Sequence, residues 1–316
     1  MIRNAIAGGI LWFGLAIASR LHGAPLTIIE LLFLLGPLVV IPLGLALCDG
    51  PPGRAGISLF GGGLRWFQLA AALSATASFW LPRGIVSAAF AAPWLGFGCV
   101  VGIRGLLNLF DGGFKSLKSA CMAVSFLYLP IGCIWLVASR LGLNPLGFQE
   151  PIVLLTAVHF HFAGFAAPLL ALSGLTALEQ RMIAPSRVYK SVTAGVLAGP
   201  ALLAAGFVIG PRVKLAAALV VACSEIGLSL CFLSQIRYLK SRAAQTFISV
   251  SALSVLFAMI LVGGWAIGEF PLQPFLHLDE MARFHGTANA LGFVLCGLVG
   301  WNFVGRYSRH QKGASQ

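Results

Sequence analysis

From residue 4 to residue 304 the chain is a succession of apolar runs, each about as long as a membrane is thick. A helix crosses the ~30 Å hydrocarbon layer in about 20 residues. Ten runs meet that length, at roughly 4–20, 26–47, 65–81, 84–107, 117–139, 151–177, 190–210, 213–234, 246–267 and 283–304. Charge is scarce to match. Asp, Glu, Lys and Arg make up 9 % of the residues, against about 25 % in soluble globular proteins. A soluble fold of 316 residues could not clothe its surface with so few charges. That excludes a cytosolic enzyme, a secreted domain and a disordered chain. The runs are continuously apolar, not alternating, so a transmembrane barrel is disfavoured. The expected fold is all-α: a polytopic transmembrane helical bundle of about ten spans, read as one integral membrane domain over residues 1–316. The narrowest breaks, at Pro82-Arg83 and Gly210-Pro211, are expected to be tight hairpins between spans. Met1-Ile2-Arg3-Asn4 and the apolar run behind it read as the first span, not a signal peptide.

The basic residues set the direction. With the N-terminus in the cytoplasm and ten crossings, 15 Lys and Arg fall at inner ends. The other 6 fall at outer ends: Arg20, Arg83, Arg140, Arg212, Lys214 and Arg283. Positive-inside bias therefore favours ten spans with both termini cytoplasmic. Acidic residues go the other way, with Glu150, Glu269, Asp279 and Glu280 outside. The net charge of +12 is spread through short loops. It reads as topogenic charge and contact with anionic lipid headgroups, not as a nucleic-acid surface.

Polar residues inside the spans are the informative exceptions. An ionisable side chain at mid-bilayer normally faces the bundle or a cavity and has a partner. Glu30, His159, His161, Glu225 and His285 stand out, with Asn289 four residues beyond His285 on the same helical face. At 1.5 Å rise per residue, Glu30 and the three histidines fall at similar depth in the outer half. With Asn289, and with Glu225 nearer the midplane, they are candidates for a substrate- or proton-binding pocket, capped by the acidic loop 268–282. His159, His161 and His285 are also candidate metal ligands, because neutral imidazole is the commonest one. Against this, residues two apart on an α-helix differ by about 200°, so His159 and His161 point to nearly opposite sides. Pro168 cannot donate to the Gly164 carbonyl and predicts a kink one turn below, short of the histidine pair. Asp279 is the expected N-cap of the last span, with Arg283 as its partner.

Other chemistry lacks parts. The seven cysteines form no CxxC and lie in apolar runs, which argues against a disulfide framework or thiolate site. No phosphate loop, GxSxG elbow or HExxH pair is present. Gly98-Cys99-Val100-Val101-Gly102 and Gly195-Val196-Leu197-Ala198-Gly199 are GxxxG patterns, which predict close helix packing within the chain or in a homo-oligomer.

The segments His159-Phe160-His161-Phe162-Ala163-Gly164-Phe165 and His285-Gly286-Thr287-Ala288-Asn289-Ala290-Leu291-Gly292-Phe293 resemble those of the YndJ-like family of bacterial membrane proteins. So does the following Gly297-Leu298-Val299-Gly300-Trp301. The resemblance implies a multi-pass inner-membrane protein and singles out His159, His161, His285 and Asn289. It supplies no reaction. The leading expectation is a permease for a small solute or protons. The alternative is an integral-membrane metalloenzyme acting on a lipid or isoprenoid-like substrate, with a divalent metal held by the histidines and Glu30 or Glu225. A structural or assembly role is the third reading.

Overall fold

The computed structural model describes residues 1–21, 26–48, 61–112, 116–268 and 277–314. Among these the protein is helical without strands, and the helices follow the ten expected crossings. They are α1 Ile2–Leu21, α2 Ile28–Cys48, α3 Gly62–Ala77, α4 Ile85–Gly112, α5 Leu117–Leu141, α6 Ile152–Glu179, α7 Arg187–Ile209, α8 Pro211–Ile236, α9 Arg242–Gly268 and α10 Leu278–Gly305. Nine are long and apolar enough to cross a membrane. The exception is α3, at 16 residues, which a 3-10 turn over Ser78–Trp80 prolongs. At ~1.5 Å and ~2 Å per residue the two together reach about 30 Å.

Both narrow breaks are hairpins. A single residue, Gly210, joins α7 to α8 with φ 143°, a backbone region that favours glycine. Pro211 follows at the first helical position, where its missing N–H costs nothing. Gly84, at φ 150°, closes the α3–α4 turn, and its N–H donates to the Arg140 carbonyl at 2.8 Å.

The helices group into two compact units. The first is Met1–Gly113 with Met122–Ala166, and the second is Phe114–Cys121 with Ala167–Gln316. The chain passes between them three times, ahead of α5, inside α5 and inside α6.

In the first unit α2 is the centre. Of its most apolar window 89 % is buried, against 11 % for α1, so α1 is the outer wall. Ile6, Ile10 and Phe13 of α1 are exposed, as lipid-facing side chains should be where lipid is as apolar as leucine. Close approach depends on small residues. A Cβ on Gly8 would lie 2.0 Å from the Leu38 carbonyl oxygen of α2. The first GxxxG face packs α4 on α5: a Cβ on Gly98 would stand 2.6 Å from Cys133 Sγ, and one on Gly102 2.8 Å from the Pro130 ring.

In the second unit α7 packs on α8, α8 on α9 and α9 on α10, with the second half of α6 against α7, α8 and α10. The second GxxxG face closes α7 on α8, where a Cβ on Gly195 would meet Ser224 Oγ at 1.9 Å. Both GxxxG faces are thus occupied within the chain.

Three of the helices contain wide π turns: α2 over Gly36–Val40, α6 over Phe160–Ala166, and α10 over Ala282–Gly286 and Ala288–Leu295. The α6 turn corrects the expectation from Pro168: the irregularity reaches His161. Proline alone removes one hydrogen bond, whereas a π turn shifts several N–H groups to the fifth carbonyl back.

Candidate functional site

A π turn leaves carbonyls without their α-helical donor, and in lipid each must be satisfied from within the protein. Neighbouring helices do this here. In α2 the Ile41 N–H bonds the Gly36 carbonyl, and the Pro37 carbonyl accepts instead from Gln68 Nε2 of α3 at 2.9 Å. Gln68 Oε1 in turn accepts from Asn4 Nδ2 of α1 at 2.8 Å. In α6 the Phe165 carbonyl accepts from the Ser125 hydroxyl of α5 at 2.7 Å. In α10 the Phe293 carbonyl accepts from the Ser251 hydroxyl of α9 at 2.7 Å. All three donor side chains are buried. Sequence reasoning passed over them, although Gln68 was detectable as an amide inside an apolar run.

In the first unit the α2 and α6 π turns touch. A Cβ on Gly36 would lie 3.5 Å from the His161 ring. His161 is wholly buried. Its Nε2 accepts from the indole Nε1–H of Trp94 on α4 at 2.9 Å. Indole is a donor only, so this nitrogen carries no proton. The proton sits on Nδ1, which donates to the Ala157 carbonyl at 2.7 Å. The ring is neutral, its tautomer is fixed, and neither nitrogen is left for a metal or substrate. Phe33 meets it edge-on at 5.1 Å and Trp94 stacks on it at 6.1 Å. His161 therefore holds α4 to α6.

His159 does not join it. It is half-buried, with its ring edge-on to Phe160 at 6.0 Å between centroids. Glu30, expected in the pocket, caps α2 instead. Its Oε2 accepts from the Thr27 N–H at 2.7 Å and the Thr27 hydroxyl at 3.0 Å, while Thr27 Oγ1 accepts from the Glu30 N–H at 3.3 Å. The spacing Thr27-x-x-Glu30 is a capping-box signature that could have assigned it from sequence.

In the second unit His285 Nδ1 lies 3.0 Å from the Ala258 carbonyl of α9. Asn289 Nδ2 lies 3.1 Å from His285 Nε2 and also reaches the His285 carbonyl at 3.2 Å. With Nδ1–H donating to Ala258, Nε2 accepts from Asn289, and the pair ties α10 to α9. The expected N-cap Asp279 is displaced by two residues: His277 holds that position, and its N–H donates to Glu280 at 2.8 Å. Most of the acidic loop 268–282 lies outside the described residues.

Glu225 differs from the others. It lies on α8, 6 % exposed, and its Oε2 is buried with no hydrogen-bond partner. Among the described residues it forms no ion pair. Fourteen residues separate it from the start of α8 at Pro211, about 20 Å along the helix. Among the described residues no three His, Cys, Asp or Glu side chains stand together as a metal shell. The set His159, His161 and His285 therefore does not assemble one, for two physical reasons: His159 and His161 diverge from one helix, and His161 spends both nitrogens.

Ten helices of this length and composition, with an imidazole at one helix contact in each unit and a carboxyl in the apolar interior, define a multi-pass membrane protein. The YndJ-like protein family matches residues 31–293, which is most of the chain, and the protein belongs to that family. It is 27 % identical over 214 residues to the "Uncharacterized membrane protein YndJ" of Bacillus subtilis strain 168. The match covers 67 % of this chain and 38 % of that relative, so the chain spans well under half its length. No solved structure matches.

Proposed function

We propose that the protein is a proton-coupled permease for a small solute, with Glu225 as the group that takes up and releases the proton. One observation carries this reading: a carboxyl in the apolar interior of a membrane helix that has no partner among the described residues. Ionisable residues at such depth mark ion and proton pathways, because an unpaired carboxylate is costly there and the group is retained for use. The wide turn over Ala288–Leu295 in α10 supports it, since π turns occur frequently at functional sites and give a helix a second arrangement.

The test uses proteoliposomes on a solid-supported membrane. Solutes from several classes (amino acids, sugars, carboxylates, metal cations) are applied with and without an imposed pH gradient. A solute-specific current that the gradient drives is expected, absent in Glu225→Gln and partly retained in Glu225→Asp. Dicyclohexylcarbodiimide, which attacks protonated carboxyls in apolar surroundings, should label Glu225 and block that current. A current indifferent to both Glu225→Gln and the carbodiimide would sink the proposal.

A further inference from the structure

Four helix ends of the first unit surround Arg140, the penultimate residue of α5. Its carbonyl takes the Gly84 N–H of the α3–α4 turn. Its guanidinium lies over the Phe79 ring, 4.5 Å from the centroid. An arginine at a span end ordinarily snorkels into the headgroups. Arg140 does not, being only 3 % exposed. Its Nε is buried with no acceptor, and among the described residues no group accepts a hydrogen bond from the rest of the guanidinium.

Three charged groups act on it: Arg83, Glu30 and Glu150. Both carboxylates are committed elsewhere. Glu30 accepts from the N–H and hydroxyl of Thr27. Glu150 accepts from the Ser139 hydroxyl and from the Leu154 N–H at 3.2 Å. Neither forms an ion pair with Arg140 among the described residues. Arg83, which is exposed, adds a second positive charge on the solvent side. A guanidinium presents five donors in a planar fork, and burying it unpaired is strongly unfavourable. The arrangement is a donor set without its acceptor.

We propose that Arg140, assisted by Arg83, binds a phosphate group at this end of the first unit. The fork matches a phosphate bidentately, Phe79 holds its plane, and Arg83 steers the anion in. The end of a membrane-crossing helix lies at headgroup depth. The phosphate therefore comes from a phospholipid headgroup or from free phosphate. The site is independent of the Glu225 proposal, which concerns the other unit.

The test uses the full chain purified in a phosphate-free maltoside detergent. In one arm, inorganic phosphate replaces chloride at constant ionic strength and thermal unfolding is followed. In the other, native mass spectrometry counts bound phosphatidylglycerol against diacylglycerol, which lacks the phosphate. Saturable binding is expected in at least one arm, weakened about tenfold to a hundredfold in Arg140→Gln and less in Arg83→Gln. Binding of phosphatidylglycerol alone identifies the headgroup as the source, and binding in both arms adds free phosphate. If neither ligand binds the wild type, or Arg140→Gln binds as well as the wild type, the proposal is overturned. Should Arg140→Gln fail to fold, Arg83→Gln decides, because that side chain is exposed and surface substitutions seldom disturb folding; unchanged binding there also overturns it.

Discussion

The indole of Trp94 donates to Nε2 of His161 across 2.9 Å in the buried interior of the first unit. A histidine that reads as a ligand is thereby turned into a strut. Both nitrogens are spent, one on α4 and one on the preceding turn of its own helix.

Removing that donor should be costly. Trp94→Phe leaves a buried acceptor unmatched, which destabilises by about 1–3 kcal/mol, with a further loss from the smaller ring. Thermal unfolding in detergent measures it. A variant that melts with the wild type would mean that His161 Nε2 is satisfied in another way.

The relay from Asn4 through Gln68 to the Pro37 carbonyl should behave as a unit. Gln68→Leu is expected to cost about 1–3 kcal/mol, and Asn4→Ala less, since Asn4 is partly exposed. A double-mutant cycle should return a coupling of at least ~0.5 kcal/mol. Strict additivity would show that the two side chains act separately.

Serine hydroxyls hold two of the π turns. Ser251→Ala frees the Phe293 carbonyl and should speed amide hydrogen exchange across 288–295, leaving α7 unchanged. Ser125→Ala should do the same across 160–166. The expected loss of stability is about 1 kcal/mol each. Uniform acceleration throughout a unit would contradict local capping.

Glycines 8 and 14 lie on the same helix and predict opposite outcomes. A methyl group on Gly8 meets the Leu38 carbonyl oxygen at 2.0 Å, while one on Gly14 meets nothing within 4 Å. Gly8→Ala should destabilise by about 1–3 kcal/mol through overpacking. Gly14→Ala should be neutral or slightly stabilising, because alanine favours the helix. Folded yield from fluorescence-detected size exclusion separates the two.

Much of this architecture can be read from residue order. Ten apolar runs become ten helices because a hydrocarbon layer permits no other use of a 20-residue apolar segment. Gly210-Pro211 and the turn ending in Gly84 become hairpins because proline and glycine fix the backbone locally. The capping box Thr27-x-x-Glu30 was equally legible, yet depth along the helix alone suggested a pocket residue. Depth along a helix, which groups Glu30, His161 and His285, does not record what each side chain meets: Glu30 caps α2, His161 takes the Trp94 indole and His285 lies against the Ala258 carbonyl.

Residue order by itself determined the class, the crossings and the short list of polar side chains, since hydropathy and spacing act along the chain. Tertiary structure alone decided what those side chains do. Whether an imidazole is a ligand or a strut depends on what its two nitrogens meet across a helix interface. Trp94 lies 67 residues from His161, and nothing along the chain records that meeting. The same holds in reverse for Arg140 and Glu225. Among the described residues their neighbours in space, not in sequence, leave one without an acceptor and the other without a partner.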